Sequence, residues 1–433
     1  MTVNKVKIFP SAASGSIAAP PSKSMAHRML ICAGLADGVS TVRGISPSQD
    51  ILATRGCLET LGARMEYDNE LTAGCSDGIW AVEGCDPRMR IRELFDCRES
   101  GSTLRFMIPL AALSDREAVF RGSKTLLSRP LSVYEDIFQN NGLRFDRFKQ
   151  DGDPGYGRKI KPESTTVKRP SNAQHSGYLS ICGPLAAGEY IMDGSISSQF
   201  VSGMLFAMSV TPGMSSIRLV PPVESRPYID MTVAALREFG AEIQQPDDTN
   251  IHIQGRGTLS SRDCTVEGDW SNAAFLLALG ADVKGLDPES LQGDRVCVEM
   301  FRQLDCGFAE LDIRDCPDLG PVLMAYAAMR HGAILHGAGR LRIKESDRGT
   351  AMKEELAKFG VPVQINGDDI RIGFGVRTPS EILDGHNDHR IVMSLAVICA
   401  ETGGTIDGAG AVNKSYPDFF DDIRKLGIRF AEA

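Results

Sequence analysis

The sequence predicts an α/β fold of six repeated units, arranged as two groups of three. The main observation is a recurring pattern in which a segment of helical period ends at a glycine and continues as an alternating strand. Glycine suits such junctions because it adopts the left-handed backbone that ends a helix without strain. One copy is common in α/β proteins, but six at roughly regular intervals predict a repeat architecture. The copies lie at 58–65, 138–145, 236–243, 356–363 and 423–430, with a looser copy at 301–311.

Length and composition support this fold class and limit the function. The chain has 433 residues, which is enough for two or more domains with their own cores. A hydrophobic content of 42% is typical of globular proteins, and a net charge of -9 argues against a broad surface for nucleic acid or membrane. We therefore expect small-molecule partners, with neither nucleic acid nor membrane.

The cysteines and the start of the chain indicate the compartment. Eleven cysteines are scattered without a C-x-x-C pair or a Cys/His cluster at zinc spacing, which predicts reduced thiols and no metal site. Residues 1–7 lack the apolar run of a signal peptide, and no segment is apolar enough to span a bilayer. These observations predict a cytoplasmic protein.

The first of two cationic motifs lies at 21–28. Lys23 and Ser24 are predicted to begin a helix, and Arg28 follows one turn later on the face of Ser24. The N–H groups of a first helical turn add positive potential at the same place. A phosphate or carboxylate there would gain charge-assisted hydrogen bonds of about 1.5–3 kcal/mol each. Taken alone, the motif is explained equally well by a solvated helix start.

The second cationic motif lies at 343–348. Lys344 and Arg348 are four residues apart at a predicted helix start and should therefore share one face. Glu345 lies between them, and a carboxylate between two cations stays ionised unless burial or a bound anion raises its pKa. Two such motifs, far apart in sequence, predict a site for a multiply anionic small molecule.

Further polar motifs precede apolar helices, and helix capping explains each of them when it is taken alone. Gly101 would let a ligand approach the backbone, while Ser102 and Thr103 would cap the helix. Asp318 would cap the helix at 319–329 by default and would act as a general base only among cations. The others are Ser197-Ser198-Gln199, Ser225 with Tyr228, Asp388-His389-Arg390, and Lys414 before Pro417-Asp418.

Taken in chain order, these segments resemble the 5-enolpyruvylshikimate-3-phosphate synthase family from about Pro20 to Phe420. The motifs that carry the resemblance are Lys-Ser-x-x-x-Arg, Ser-Ser-Gln, Pro-Tyr-Ile-Asp, Lys-Glu-x-Asp-Arg, Asp-His-Arg and Lys-x-x-Pro-Asp. The resemblance implies two domains, each of three α/β units with helices inside and sheets outside. It places the first domain at 20–265, the second at 1–19 with 266–433, and the active site in the cleft between them.

The resemblance also implies a reaction. The family transfers the enolpyruvyl group of phosphoenolpyruvate to the 5-hydroxyl of shikimate 3-phosphate and releases phosphate, through a tetrahedral intermediate. This step belongs to chorismate and aromatic amino acid biosynthesis and is the target of glyphosate. A monomer that needs no cofactor and no metal is expected.

Residue roles follow from the matching motifs. Asp318 would accept the proton of the 5-hydroxyl, Glu345 would handle the proton at the methylene carbon, and Lys23 is a further candidate for proton transfer. Shikimate 3-phosphate would be held by Lys23, Ser24, Arg28, Ser197, Ser198, Gln199, Ser225, Tyr228, Asp318 and Lys344. Phosphoenolpyruvate would be held by Lys23, Gly101, Arg129, Gln199, Arg348, Arg390 and Lys414.

Two departures and two alternatives accompany the resemblance. Arg340 stands where the family often carries asparagine, and a polar insertion before Tyr178 is longer than usual, so neither receives a role. One alternative is the sister family that uses UDP-N-acetylglucosamine, which has a cysteine shortly before the arginine of its Arg-Pro pair. Residues 124–128, before Arg129, contain no cysteine. The other is an inactive anion-binding homologue, against which the presence of Lys23, Asp318 and Glu345 argues.

Overall fold

The computed structural model describes residues 4–68, 78–90, 92–148 and 177–433. Most of the polar insertion predicted before Tyr178 lies outside these ranges. Within them, the helices are α1 (Lys23–Gly34), α2 (Gln49–Leu61), α3 (Gly101–Ala111), α4 (Lys124–Ser128), α5 (Ser132–Asn140), α6 (Ser198–Ser209), α7 (Arg226–Glu238), α8 (Trp270–Ala278), α9 (Cys297–Cys306), α10 (Gly320–Met329), α11 (Arg348–Lys358), α12 (His389–Thr402) and α13 (Phe419–Lys425). Short 3-10 helices lie at Pro87–Met89, Gly293–Val296, Pro317–Leu319, Ala338–Ile343 and Ala409–Lys414.

The strands of the same ranges are short and mostly three to six residues long. They are β1 (Lys5–Phe9), β2 (Ser16–Ala18), β3 (Ala36–Asp37), β4 (Val39–Ile45), β5 (Arg64–Asp68), β6 (Gly78–Glu83), β7 (Leu94–Asp96), β8 (Ala118–Arg121), β9 (Arg144–Phe148), β10 (Tyr178–Cys182), β11 (Glu189–Asp193), β12 (Gly213–Val220), β13 (Glu242–Gln244), β14 (Asn250–Gly255), β15 (Leu259–Ser260), β16 (Asp263–Thr265), β17 (Asp282–Lys284), β18 (Ala309–Asp312), β19 (Ala333–His336), β20 (Val363–Asn366), β21 (Asp369–Ile372), β22 (Leu383–Asp384), β23 (Gly404–Asp407) and β24 (Arg429–Glu432).

Five four-stranded sheets repeat one topology, in which a parallel pair is followed by two antiparallel pairs. A sixth unit carries α8 and α9 but contributes only the parallel pair β2–β17. The predicted α/β repeat is therefore confirmed, with one unit reduced in the described ranges. The copy at 301–311 is looser because β18, the strand after α9, begins the next sheet instead of completing its own. The five sheet orders are β16-β4-β6-β5, β7-β8-β10-β9, β11-β12-β14-β13, β18-β19-β21-β20 and β22-β23-β1-β24.

In every regular copy of the repeat, the helix is followed by a glycine whose φ angle is positive. The values run from 65° at Gly142 to 125° at Gly62, a range that side chains with a Cβ rarely adopt. The backbone thus turns directly from helix to strand, as the sequence pattern predicts.

The hydrophobic core consists of two clusters of buried side chains. The first runs from Met25 to Val266, and the second combines strand β1 with residues from Trp270 to Ile428. Helices such as α10 and α12 are buried on nearly all sides, whereas strands such as β11 alternate buried and exposed residues. Helices therefore lie inside and the sheets face solvent with one side. The domain boundaries at 20 and 265 stay a prediction.

Helices α3 and α6 of the first cluster approach closely at Gly203. A Cβ built at Gly203 would lie 2.3 Å from the Tyr134 hydroxyl and 2.5 Å from the Arg105 carbonyl oxygen. Because one of these atoms belongs to the backbone, a side chain there would force the helices apart. By contrast, Gly56 in α2 is exposed, and a Cβ built there would have no other atom within 4 Å.

We expect Gly203→Ala and Gly56→Ala to change stability in opposite directions. Overpacking at Gly203 should lower the free energy of unfolding by about 1–3 kcal/mol. At Gly56 the same change should raise it by about 0.5–1 kcal/mol, because alanine has the higher helix propensity. Urea unfolding followed by circular dichroism measures both, and equal shifts of one sign would contradict the packing argument.

Candidate active site

A cleft is lined by side chains from elements of both core clusters. The cavity between them has a volume of about 70 Å³. All the predicted site residues except Lys414 contribute to the lining. The lining residues are Lys23, Ser24, His27, Arg28, Asp50, Gly101, Ser102, Arg105, Phe106, Arg129, Ser197, Ser198, Gln199, Ser225, Tyr228, Asp318, Arg340, Ile343, Lys344, Glu345, Arg348, His389 and Arg390.

The first cationic motif begins α1, as predicted. Ser22 is the N-cap, and its hydroxyl accepts a hydrogen bond from the Met25 N–H, so Lys23 is the first helical residue. The Lys23 ammonium lies 3.0 Å from a carboxylate oxygen of Asp50, which belongs to the first turn of α2. Lys23 therefore enters the cleft already paired with a carboxylate that the sequence analysis did not identify.

Arg28 is held rigidly one turn into α1. Its guanidinium donates to the Thr232 hydroxyl at 2.8 Å and to the carbonyl oxygens of Ser24 at 2.7 Å and Tyr228 at 2.8 Å. Burial lowers the pKa of Arg28 to about 10, so the side chain stays charged at neutral pH. Acceptors from α1 and α7 thus fix this cation before any ligand arrives.

The second cationic motif differs from the prediction. Helix α11 begins only at Arg348, with Asp347 as its N-cap, and Lys344 lies in the segment that precedes it. The two cations therefore do not share a helical face. They meet instead at Asp318, whose Oδ1 is 3.1 Å from the Lys344 ammonium and 2.8 Å from the Arg348 guanidinium.

Asp318 is surrounded by cations and does not cap a helix, so the default interpretation of a helix cap was wrong. It lies within a 3-10 turn before α10, and its Oδ2 is 3.2 Å from the Arg390 guanidinium. Burial alone would raise the pKa of Asp318, but Arg390, Lys344 and Arg348 outweigh it and hold the pKa well below its usual value. Asp318 is therefore an ionised carboxylate.

Glu345 is the second carboxylate of the cleft and, like Asp318, is half-buried. Its Oε2 accepts a hydrogen bond of 2.6 Å from Arg348, and its Oε1 lies 4.0 Å from Arg129. Burial would raise the pKa of Glu345, but Arg348 and Arg129 hold it well below its usual value. Asp388, the N-cap of α12, accepts from the third nitrogen of Arg348 at 2.8 Å.

Gly101 is the first residue of α3, and the cap is Ser100 instead of the predicted Ser102 and Thr103. The Ser100 hydroxyl accepts from the Thr103 N–H. A Cβ on Gly101 would lie 2.6 Å from Arg129 Nη1 and 3.1 Å from Arg105 Nη1. The absence of a side chain therefore leaves room for two guanidinium groups.

The hydroxyl groups of the cleft lie at the starts of α6 and α7. Ser197 caps α6 by accepting from the Gln199 N–H, and the Gln199 side chain bridges Arg105 at 2.8 Å and Ser102 at 2.9 Å. Ser225 takes the left-handed backbone conformation just before α7, with φ of 54°. This placement turns Ser225 towards the cleft without any capping hydrogen bond from its side chain.

Tyr228 reaches across the cleft to the second cluster. Its hydroxyl donates to Asp294 at 2.9 Å and lies 3.5 Å from Asp318. Burial and these two carboxylates raise the pKa of Tyr228 well above its usual value. Tyr228 is therefore a neutral hydrogen-bond donor.

Lys414 lies outside the cleft lining. Its ammonium pairs with Glu99 and donates to the Asn387 carbonyl oxygen at 2.7 Å. It thus joins the turn before α3 to the turn before α12. In this structure it is not placed beside the other predicted ligands of phosphoenolpyruvate.

Some lining residues were missed by the sequence analysis. Arg105 could have been found, because it lies one helical turn after Gly101 on the same face. Asp50 and His27 gave no signal in the sequence, and His389 stood out only as part of its Asp-His-Arg motif. Both ring nitrogens of His389 are buried without a hydrogen-bond partner among the described residues, and burial followed by the Lys23 charge lowers its pKa well below the usual value.

Known proteins resemble this chain over nearly its whole length. A sequence model of the EPSP synthase (3-phosphoshikimate 1-carboxyvinyltransferase) family matches residues 9–162, 171–308 and 302–423. The 3-phosphoshikimate 1-carboxyvinyltransferases of Clostridium novyi (strain NT) and Clostridium kluyveri are 35% and 38% identical, and each alignment covers 98% of this chain and at least 97% of the relative. The solved EPSP synthase of Acinetobacter baumannii is 21% identical, covers 99% of both chains and has a TM-score of 0.72, so it shows the same fold. The chain therefore belongs to the EPSP synthase family.

Proposed function

We propose that this chain transfers the enolpyruvyl group of phosphoenolpyruvate to the 5-hydroxyl of shikimate 3-phosphate, with release of phosphate. It is an enzyme of the transferase class, and the step belongs to aromatic amino acid biosynthesis. The observation that carries the proposal is the convergence of Arg129, Lys344, Arg348 and Arg390 on the two carboxylates Asp318 and Glu345. Two multiply anionic substrates need several cations, and proton transfer at two atoms needs two groups that can carry a proton.

The chemistry requires a base, an acid and dense positive charge. In the addition, the 5-oxygen loses its proton and bonds to C2 of phosphoenolpyruvate while the methylene carbon gains a proton. In the elimination, the bond from C2 to the phosphate oxygen breaks, the new methyl group returns a proton, and phosphate leaves. Negative charge persists on phosphate and carboxylate groups throughout, so fixed cations stabilise every step.

Asp318 is the proposed base for the 5-hydroxyl. Its present partners, Lys344, Arg348 and Arg390, lower its pKa and so weaken it as a base. Substrate phosphate and carboxylate groups compete for the same cations. Binding therefore turns a salt-bridged carboxylate into a stronger base at the moment when the hydroxyl is in place.

Glu345 is the proposed acid for the methylene carbon, and Lys23 is a further candidate for proton transfer. Arg348 and Arg129 keep Glu345 ionised here. Phosphoenolpyruvate would neutralise those two arginines and thereby allow Glu345 to take up the proton that it then delivers. Lys23 contributes its charge to both substrates from the start of α1.

The remaining residues of the cleft are assigned to one substrate or to both. The residues proposed for shikimate 3-phosphate are Lys23, Ser24, Arg28, Ser197, Ser198, Gln199, Ser225, Tyr228, Asp318 and Lys344. The residues proposed for phosphoenolpyruvate are Lys23, Gly101, Arg129, Gln199, Arg348, Arg390 and Lys414, with Lys414 approaching when the cleft rearranges.

Among the described residues no helix is long and apolar enough to cross a membrane. A cytoplasmic location and a monomeric state stay predictions.

Asp294 is a further carboxylate beside the proposed base, and it is buried. Burial and the negative charge of Asp318 raise the pKa of Asp294 to about 6, and Tyr228 donates a hydrogen bond to it. One of its oxygens has no hydrogen-bond partner among the described residues. Its ionisation is therefore unfavourable in the folded protein.

Transfer to shikimate 3-phosphate is tested directly by phosphate release. With phosphoenolpyruvate and shikimate 3-phosphate together, the protein should release stoichiometric phosphate and form the enolpyruvyl ether, detected by mass spectrometry. Replacement of shikimate 3-phosphate by UDP-N-acetylglucosamine should abolish release, as should omission of phosphoenolpyruvate. Phosphate release with phosphoenolpyruvate and UDP-N-acetylglucosamine, but not with phosphoenolpyruvate and shikimate 3-phosphate, would reject the proposed substrate.

Asp318→Asn should lower kcat by about 100-fold to 10,000-fold, the range expected for loss of a general base. Affinity for shikimate 3-phosphate should stay equal or rise, because asparagine no longer competes for Lys344 and Arg348. Steady-state kinetics and calorimetry separate the two effects. Asp312→Asn, on the exposed end of β18, is the matched control and should leave both unchanged. A variant that keeps its kcat would remove Asp318 from the mechanism.

Asp294→Asn should change how stability depends on pH. The folded-state pKa of about 6 lies above that of the unfolded chain, so ionisation of Asp294 lowers the free energy of unfolding as pH rises from about 4 to about 6. Asparagine does not ionise, so the variant does not lose this part of the free energy of unfolding. Its stability relative to the unmodified protein should therefore increase over that range and level off above it, as measured by urea unfolding. A difference that does not vary with pH would contradict the assignment, and Asp312→Asn should show no trend above about pH 5.

A further inference from the structure

Arg340 is a cation of the cleft to which the family resemblance gives no role. It lies in the 3-10 helix at Ala338–Ile343, immediately before Lys344, and its side chain turns inwards with only 9% of the residue exposed. One guanidinium nitrogen donates to the Ser225 hydroxyl. Arg340 thus crosses from the second core cluster to the hydroxyl group at the start of α7.

The hydrogen-bonding capacity of Arg340 is largely unused. A guanidinium has five N–H donors, and Ser225 accepts from one of them. The nearest carboxylate oxygen, on Glu224, is 3.9 Å from Nε, which is beyond hydrogen-bonding distance. Nε is buried and has no hydrogen-bond partner among the described residues. A buried charge with unmade hydrogen bonds is unfavourable and indicates a partner that arrives with the ligand.

The neighbours of Arg340 identify the chemistry of that partner. Asp318 and Glu345 are occupied by other cations, whereas Arg340 faces a region of hydroxyl groups that includes Ser225. Lys344 lies close enough for the Arg340 charge to contribute to lowering its pKa, after the larger effect of burial. Two adjacent cations beside hydroxyl donors match a phosphate group, which accepts several hydrogen bonds and pairs with a guanidinium in a forked geometry.

We propose that Arg340 binds the phosphate group of shikimate 3-phosphate together with Ser225. The proposal rests on the proposed function and adds a specificity-determining residue to it. When the substrate binds, its phosphate oxygens accept from the unpartnered guanidinium nitrogens. Arg340 therefore selects the phosphorylated ring over the same ring without phosphate.

A different role would use the same contacts. Arg340, Ser225 and Glu224 also link the two sides of the cleft, so Arg340 could act as a latch that holds the cleft closed. A latch affects both substrates, because both need the closed cleft. A phosphate ligand affects shikimate 3-phosphate alone, and this difference decides between them.

The test compares Arg340→Gln and Arg340→Lys with Arg342→Gln as the matched control. Arg342 is two residues away, is exposed and donates to the Gly367 carbonyl oxygen. Arg340→Gln should raise KM for shikimate 3-phosphate by about ten-fold or more, as loss of a charge-assisted hydrogen bond predicts. KM for phosphoenolpyruvate should change by less than about three-fold. Arg340→Lys should be intermediate, and Arg342→Gln should match the unmodified protein.

Calorimetry on the same proteins identifies the anion. Arg340→Gln should weaken binding of shikimate 3-phosphate but leave binding of unphosphorylated shikimate unchanged. Equal weakening of both ligands would overturn the proposal, as would equal rises in both KM values or an unchanged KM for shikimate 3-phosphate. Thermal melting shows whether each variant is folded. If Arg340→Gln is misfolded, the same comparisons made with Arg340→Lys decide the outcome. If the unmodified protein binds shikimate 3-phosphate but does not turn it over, the proposed reaction fails while the Arg340 contact is still measured.

Discussion

The site depends on one buried ion cluster centred on Arg348. This residue is 1% exposed, and each nitrogen of its guanidinium faces a different carboxylate, on Asp318, Glu345 and Asp388. Burial alone would lower the pKa of Arg348, but the three carboxylates outweigh it and raise the pKa above its usual value. The planar fork of arginine fixes the directions of its partners, which lysine could not do.

This cluster explains why Asp388, which is fully buried, and Asp318 and Glu345, which are half-buried, are ionised. A carboxylate that leaves water needs a cation or several N–H donors, and removal of either partner leaves an unpaired buried charge. In the described structure, Lys23 with Asp50 and Lys344 with Asp318 repeat the same arrangement on a smaller scale. The cleft thus keeps its cations in place by pairing them internally. In the proposed mechanism, the anionic groups of the substrates replace these internal carboxylates as partners of the cations.

The fold was more predictable from the sequence than the site was. Helix-to-strand junctions such as Gly62 depend on backbone conformation, which a local pattern specifies. The helix expected from Lys344 begins four residues later, because Asp347 caps α11 and leaves Lys344 free to reach Asp318. Asp50 becomes part of the cleft only because α2 packs on α1 and brings it to the first cationic motif. Pairings over such distances in the chain follow from the assembled fold, so no window of neighbouring residues contains them.

The chain crossings between the two core clusters give the first cationic motif its special position. One crossing lies at 20–22 and the other at 267–269, and they are hydrogen-bonded to each other from Ser22 N to the Glu267 carbonyl and from Asp269 N to the Pro20 carbonyl. Lys23 follows directly, and its backbone N–H donates to the Asp269 carboxylate at 3.0 Å. Any separation of the two sides displaces residues in proportion to their distance from these crossings. Lys23 lies directly beside the crossings, so such a separation would displace it little.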